Sequence, residues 1–218
     1  QTMQTLRTYT STYNLFLVLS LSALWPLASA RAEVRLPSVF GSHMVLQRDA
    51  PLPVWGWADP GAQVAVEFRD QRQTATANAN GEWQVELRAV EAGGPFTMRI
   101  ASGNAQAIEL GDILVGEVWL CSGQSNMEMG IKVSLDPERE VAAANYPQIR
   151  LFHIPKKFSA EPQSDVEAAW KHCTPEHIAE GGWGGFSAVA YSFGRELQRE
   201  LGVPVGLIQS AWGGTRIE

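Results

Sequence analysis

The 218 residues contain only two cysteines, four histidines and no Asp-x-x-His. Cys121 and Cys173 are too few for a disulfide framework, so the fold must rest on an apolar core. Cys121 closes an apolar run and reads as a small buried hydrophobe. A Cys121–Cys173 bridge is the alternative in an oxidising compartment. Nothing in the sequence suggests a metal site, and neither a metal nor a cofactor is expected. The net charge is −6 and there is no basic run, which leaves no electrostatic footprint for nucleic acid or anionic lipid. Long apolar runs are missing too. Leu15 to Leu24 spans about ten residues, too short to cross a bilayer. Arg7 precedes it, Trp25-Pro26 breaks it, and Ala28-Ser29-Ala30 and Ala30-Arg31-Ala32 offer small-x-small cleavage sites. This pattern predicts a secretory signal peptide over residues 1–32 and a secreted or periplasmic mature chain.

The hydrophobic content, 45%, suffices for an ordinary packed core. From Leu52 to Leu110 its pattern has period two: Val64, Val66 and Phe68, then Thr74 and Thr76, then Trp83, Val85 and Leu87, then Phe96, Met98 and Ile100. Asn80-Gly81 predicts a hairpin turn between two such runs, while Asp59-Pro60-Gly61 and Gly93-Gly94-Pro95 punctuate the others. Residues 33–110 are therefore predicted to form an all-β, sandwich-like domain. Its expected role is structural support. Trp55, Trp57 and Trp83 carry the alternative of a glycan-binding surface, although a core would also want aromatics there.

After Gly111-Asp112 the period changes, which sets the expected boundary of a second domain, residues 111–218. Ile113 to Cys121 is an apolar strand. Asp136-Pro137-Glu138 starts a helix, with Asp as N-cap and Pro at the first position. Ile149 to Ile154 is a second strand. Ser187 caps a longer helix, whose Ala190, Phe193, Leu197 and Leu201 share a face and which Gly202 and Pro204 end. Val205 to Gln209 is a third strand, and Thr215 with Glu218 has capping-box spacing. Alternating strands and helices predict an α/β fold with a parallel sheet, which the chain leaves in mid-fold.

Directly behind the first of these strands stands Gly123-Gln124-Ser125-Asn126-Met127. A serine at the carboxyl end of a buried strand stands where open α/β sheets bind their ligands, so Ser125 is the candidate nucleophile. Met127 replaces the second glycine of Gly-x-Ser-x-Gly, which disfavours an α/β-hydrolase elbow. This block, Ile113 to Met129, together with Phe186 to Leu197 and Val203 to Thr215, resembles the sialate O-acetylesterase family of the SGNH/GDSL hydrolase superfamily. The likeness extends upstream to Leu36-Pro37-Ser38-Val39-Phe40, Met44 to Arg48, Val54 to Ala58 and Pro60-Gly61.

The resemblance implies an SGNH-type, flavodoxin-like, three-layer α/β/α domain and a secreted esterase acting on O-acetylated sialic acid. Acetylated plant polysaccharide is the close alternative, and a non-catalytic glycan-binding protein is the reading from a different class. The resemblance further implies that Ser125 works with an Asp and a His that the superfamily carries two residues apart near the end of the domain. That pair is absent from this chain, so it is expected beyond Glu218, and these residues alone are expected to be inactive. His43 falls in the β region, His153 on the second strand, and His172 and His177 flank a Pro-containing loop where solvent is expected. For the oxyanion, the resemblance implies the Ser125 N–H and a second donor near Ser187-Ala188, with Gly184 or Gly185 as substitutes. Gly213-Gly214 would let a backbone approach the substrate. Gly181 to Gly185 reads as a mobile loop whose Trp183 would either stack on a sugar or pack on the domain surface.

Overall fold

In the computed structural model, which describes residues 33–215, one strand organises the rest: β7, Ile108–Gly123. Before it come β1 (Val45–Gln47), β2 (Leu52–Trp57), β3 (Gln63–Phe68), β4 (Gln71–Thr76), β5 (Glu82–Leu87) and β6 (Gly93–Ser102). After it come α1 (Ser125–Glu128), α2 (Pro137–Ala142), β8 (Tyr146–His153), β9 (Trp170–Cys173), α3 (Pro175–Ile178), α4 (Ala188–Leu201) and β10 (Val205–Ala211). The predicted signal segment and Glu218 lie outside the described residues. Among those residues no helix is long and apolar enough to cross a membrane.

The larger sheet has the order β4-β3-β6-β7-β10-β8-β9, with β1 also paired to β7. The first half of β7 runs antiparallel to β6 and its middle parallel to β1, while its last seven residues, Glu117 to Gly123, run parallel to β10. The place expected for a domain boundary, Leu110-Gly111, thus falls inside a continuous strand shared by the β-rich and α/β parts. The smaller sheet is the antiparallel pair β2 and β5. Its Val54, Trp83, Val85 and Leu87 pack with Val64, Val66, Phe68, Met98 and Ile100 of the larger sheet into one buried cluster. At about 1.5–3 kcal/mol per buried large apolar side chain, this core carries the β-rich part.

Asn80-Gly81 turns the chain, but not as a hairpin. The Asn78 carboxamide oxygen accepts from the N–H groups of Asn80 and Glu82, an Asx turn, and Gly81 sits at φ 78°. The turn delivers β5 to β2 in the other sheet, so the two flanking strands never pair. The two-residue hairpin is Arg69-Asp70, between β3 and β4, with Arg69 at φ 55°. Gly93-Gly94-Pro95 lies within β6, at a shift of register against β7.

In the α/β part, β10 lies between β7 and β8, parallel to both, so the third strand separates the first two. Antiparallel β9 adds an edge the sequence reading missed, and it carries His172 on a strand rather than in a loop. Helix α4 lies on this sheet over Leu151, Val205 and Leu207. Gly194 makes the close approach possible, because a Cβ there would stand 2.6 Å from the Leu207 side chain. The helix is rotated from its expected face: Ala188, Ala190, Tyr191 and Gly194 are buried, while Phe193 and Leu201 are exposed. Phe193 instead meets Trp119 edge-on, with ring centroids 5.0 Å apart. Cys121 and Cys173 are both free and buried, so the bridge is not formed, and burial pushes the Cys173 thiol up to about 12.

Candidate active site

The nucleophile candidate is built by a strand that stops and a helix that starts at once. Gly123 ends β7 at φ 153°, and α1 begins at Ser125. As the first residue of a helix, Ser125 has no intrahelical acceptor for its N–H, and among the described residues that N–H makes no hydrogen bond. Ser125 is half-buried. The neighbouring strand β10 ends level with β7, pairing Ala211 with Gly123, and the Trp212 N–H donates to the Gly123 carbonyl at 3.0 Å. Two parallel strands therefore present their carboxyl ends side by side, and the serine stands at that rim.

The turn after β10 closes against the serine. A Cβ on Gly213 would lie 3.1 Å from Ser125 Oγ and 2.9 Å from Glu128 Oε2, so a side chain here would push on the serine or the carboxylate. The Gly213 N–H donates to Glu128 Oε2 at 2.5 Å, and Lys156 Nζ donates to Glu128 Oε1. Glu128 is buried in this embrace. First the Lys156 ammonium and then the Gly213 amide hold its carboxyl below the usual range. Sequence reasoning missed Glu128, because nothing in a single acid at the end of a short helix says that a distant lysine and glycine converge on it. Gly214, next along, is exposed at φ 80°, and among the described residues its N–H has no acceptor.

At Ser187, where the resemblance put a second donor, the structure shows a helix cap whose N–H is already engaged. Ser187 caps α4 as expected, its Oγ accepting from the Ala190 N–H at 3.1 Å. But it is fully buried, and its own N–H donates to Gln209 Oε1 at 2.8 Å. The Ala188 N–H donates to the Met129 carbonyl, Gly184 N–H to Gly182 and Gly185 N–H to Gly181. A donor already engaged with a protein acceptor is not free for an oxyanion. Ser125 and Gly214 remain of the backbone groups that the sequence nominated.

Nor is the glycine loop loose. The carbonyls of Trp183, Gly184 and Phe186 accept from the N–H groups of Gly130, Lys132 and Ile131, which ties residues 181–186 to the segment behind α1. Trp183 is half exposed, at the wall of a cavity of about 460 Å³ that Glu128, His153, Lys156 and Gln209 also line. His153 ends β8, where burial pushes its imidazole down and Glu128 opposes that shift. His177 belongs to α3, and its Nδ1 faces the His172 carbonyl. His43 and His172 meet each other and Asp112. Among the described residues, no histidine is hydrogen-bonded to Ser125 Oγ. Of the three tryptophans on the β-rich part, Trp83 is core, Trp55 meets Phe40 edge-on, and Trp57 lies under the Arg35 guanidinium.

Compared with known proteins, residues 115–218 match the family of carbohydrate esterases described as sialic acid-specific acetylesterases. The chain is 36% identical over 210 residues to the sialate O-acetylesterases of Pongo abelii and Homo sapiens, and 34% identical over 204 residues to that of Mus musculus. These alignments take in 89%, 89% and 87% of this chain, and the chain spans only 38–40% of those relatives' length. A solved carbohydrate acetylesterase from Xanthomonas citri superposes with a TM-score of 0.79 at 43% identity, covering 85% of this chain and 42% of that one.

Proposed function

We propose that this chain, a relative of the sialate O-acetylesterases in sequence and of a carbohydrate acetylesterase in fold, contributes the nucleophile half of a carbohydrate O-acetylesterase site, with Ser125 as the attacking group. The observation that carries this reading is the placement of Ser125 Oγ at the carboxyl rim of two parallel strands, with the Gly213 backbone against it. In the proposed reaction Ser125 Oγ attacks the acetyl carbonyl of a sugar ester, and its proton passes to a base. The carbonyl oxygen becomes an oxyanion, which the Ser125 and Gly214 N–H groups stabilise. Collapse expels the sugar alkoxide, which takes the proton from the base, and leaves an acetyl-serine. Water, deprotonated by the same base, then attacks the acetyl carbonyl, and collapse releases acetate as the base returns the proton to Ser125 Oγ. The base and the carboxylate that orients it are supplied from outside residues 33–215. The absence of a histidine partner for Ser125 among the described residues supports that division.

O-acetylated sialic acid is the substrate the kinship favours, with acetylated xylan second. Export belongs to the same proposal, resting on the Leu15–Leu24 run and the small-x-small sites that follow. Retention of the protein in the cytoplasm with Leu15 to Leu24 still attached would remove it. The decisive experiment uses a protein carrying this chain at the full length of its relatives. Ser125→Ala is expected to lower p-nitrophenyl acetate turnover by about 10⁴-fold or more while circular dichroism stays unchanged. Retention of a tenth of the wild-type rate would take Ser125 out of the mechanism. Acetate release from O-acetylated sialic acid against acetylated xylan then assigns the substrate.

A further inference from the structure

We propose that His43, Asp112 and His172 form a divalent-cation site, fitted to zinc, on a part of the molecule remote from Ser125. His43 Nδ1 lies 2.8 Å from Asp112 Oδ2, His172 Nε2 lies 3.2 Å from the same oxygen, and the two nitrogens are 3.1 Å apart. Four ligands at about 2.0 Å around a tetrahedral ion stand roughly 3.3 Å from one another. The three observed separations are close to that spacing. Hydrogen bonding alone satisfies the cluster poorly. One proton between three atoms that all present lone pairs serves a single pair well, and a proton on each nitrogen sets two N–H groups against each other. A cation at the centre of the triangle is bound by all three. Two imidazoles and one carboxylate are ligands that zinc takes readily, and water would complete the shell.

The ligands are held by neighbours that fix their direction. The Arg150 guanidinium, buried, donates to Asp112 Oδ1 and Oδ2 at 3.3 and 3.1 Å. Both bonds come from the one Nη2, which straddles the carboxylate and orients it, and Oδ2 is also the oxygen that meets the two imidazoles. Arg150 and His172 face each other across β8 and β9. The loop bearing His43 is stitched to β7: the His43 N–H donates to the Gly111 carbonyl, and the Gly111 N–H to Ser42 Oγ, each at 3.0 Å. His43 and Asp112 both sit at positive φ, 70° and 52°, a conformation that non-glycine residues hold only when their surroundings impose it. The three side chains are 31–42% exposed, so an ion can enter from solvent. At about 3.3 Å per strand residue, the run of β7 from Asp112 to Gly123 puts this site on the order of 30 Å from Ser125. An ion there would tie the loop before β1, the start of β7 and the β9 edge into one clip.

The test uses tag-free protein stripped with chelator, titrated with zinc by calorimetry and with cobalt by visible absorption. One equivalent is expected to bind, giving the d–d bands of four-coordinate cobalt and a rise in Tm. His43→Ala and His172→Ala, both at partly exposed positions, are each expected to weaken zinc binding by roughly tenfold or more and to abolish the bands while the protein stays folded. His177→Ala probes the second grouping of candidate ligands, Glu176, His177 and Glu180, and is expected to change neither. No zinc binding, equal weak binding in all variants, or binding lost in His177→Ala and kept in His172→Ala would each overturn the proposal.

Discussion

Gly213 is the residue on which the site's geometry is most sharply poised. Its missing side chain lets the β10 turn approach both Ser125 Oγ and a carboxylate that Lys156 and the Gly213 amide already hold in place. A methyl group there must displace one or the other. Gly213→Ala is expected to lower esterase turnover by roughly 10- to 100-fold in the full-length protein, the range set by about 1 Å of misplacement at a reacting atom. The denaturation midpoint should move little, because Gly213 is only half-buried and its φ is not positive. Full activity in the variant would show that the turn does not confine the nucleophile. The position of Ser125 at a strand end was legible from the sequence because its signal is local: a strand, a glycine and a serine in a row. Glu128 was not, since its partners lie 28 and 85 residues away.

At the scale of elements, α4 separates two roles that the sequence had merged in Ser187. A helix N-terminus offers unpaired N–H groups, which made residues 187 and 188 plausible oxyanion donors. The fold spends those groups on Gln209 and Met129 and leaves Ser187 Oγ as a cap. Ser187→Ala is therefore expected to destabilise the protein by about 1–2 kcal/mol in urea unfolding, the usual worth of a buried N-cap. Activity per folded molecule should be unchanged. A catalytic defect without loss of stability would show that Ser187 Oγ serves the site directly and is more than a cap. The rotated face of α4 teaches a related lesson. Periodicity found the helix, but the close approach at Gly194 chose which stripe went inward.

For the whole molecule, the held carboxylate makes a testable contribution to acid stability. Glu128 has a folded value depressed below its ordinary one, by the Lys156 hydrogen bond first and the Gly213 amide second. Its contribution is thus complete above about pH 4.5 and is lost as the pH falls through the depressed folded value. Glu128→Gln removes that titration, so the urea midpoint of the wild type should fall more steeply below pH 4.5 than that of the variant. At pH 7 the wild type should be the more stable, by on the order of 1 kcal/mol, a discount for the partly exposed Lys156 included. Parallel pH profiles for the two proteins would show that Glu128 adds nothing to folding.

The sequence alone determined what depends on neighbours along the chain. Alternation marked the strands of the β-rich part, caps and a glycine stop bounded α4, and the run of apolar strand, glycine and serine put Ser125 at a strand end, where it is the proposed nucleophile. Tertiary structure decided what depends on partners far away. It sent β5 to β2 across the Asx turn at Asn78, placed β10 between β7 and β8, and ran β7 through the expected boundary. It also brought His43, Asp112 and His172 together from three separate elements, although no pair of them has ligand spacing along the chain. The reason is physical. Side-chain period and capping are properties of a few consecutive residues, whereas strand order, convergent donors and ligand triangles exist only once the backbone has closed distances that sequence spacing does not encode.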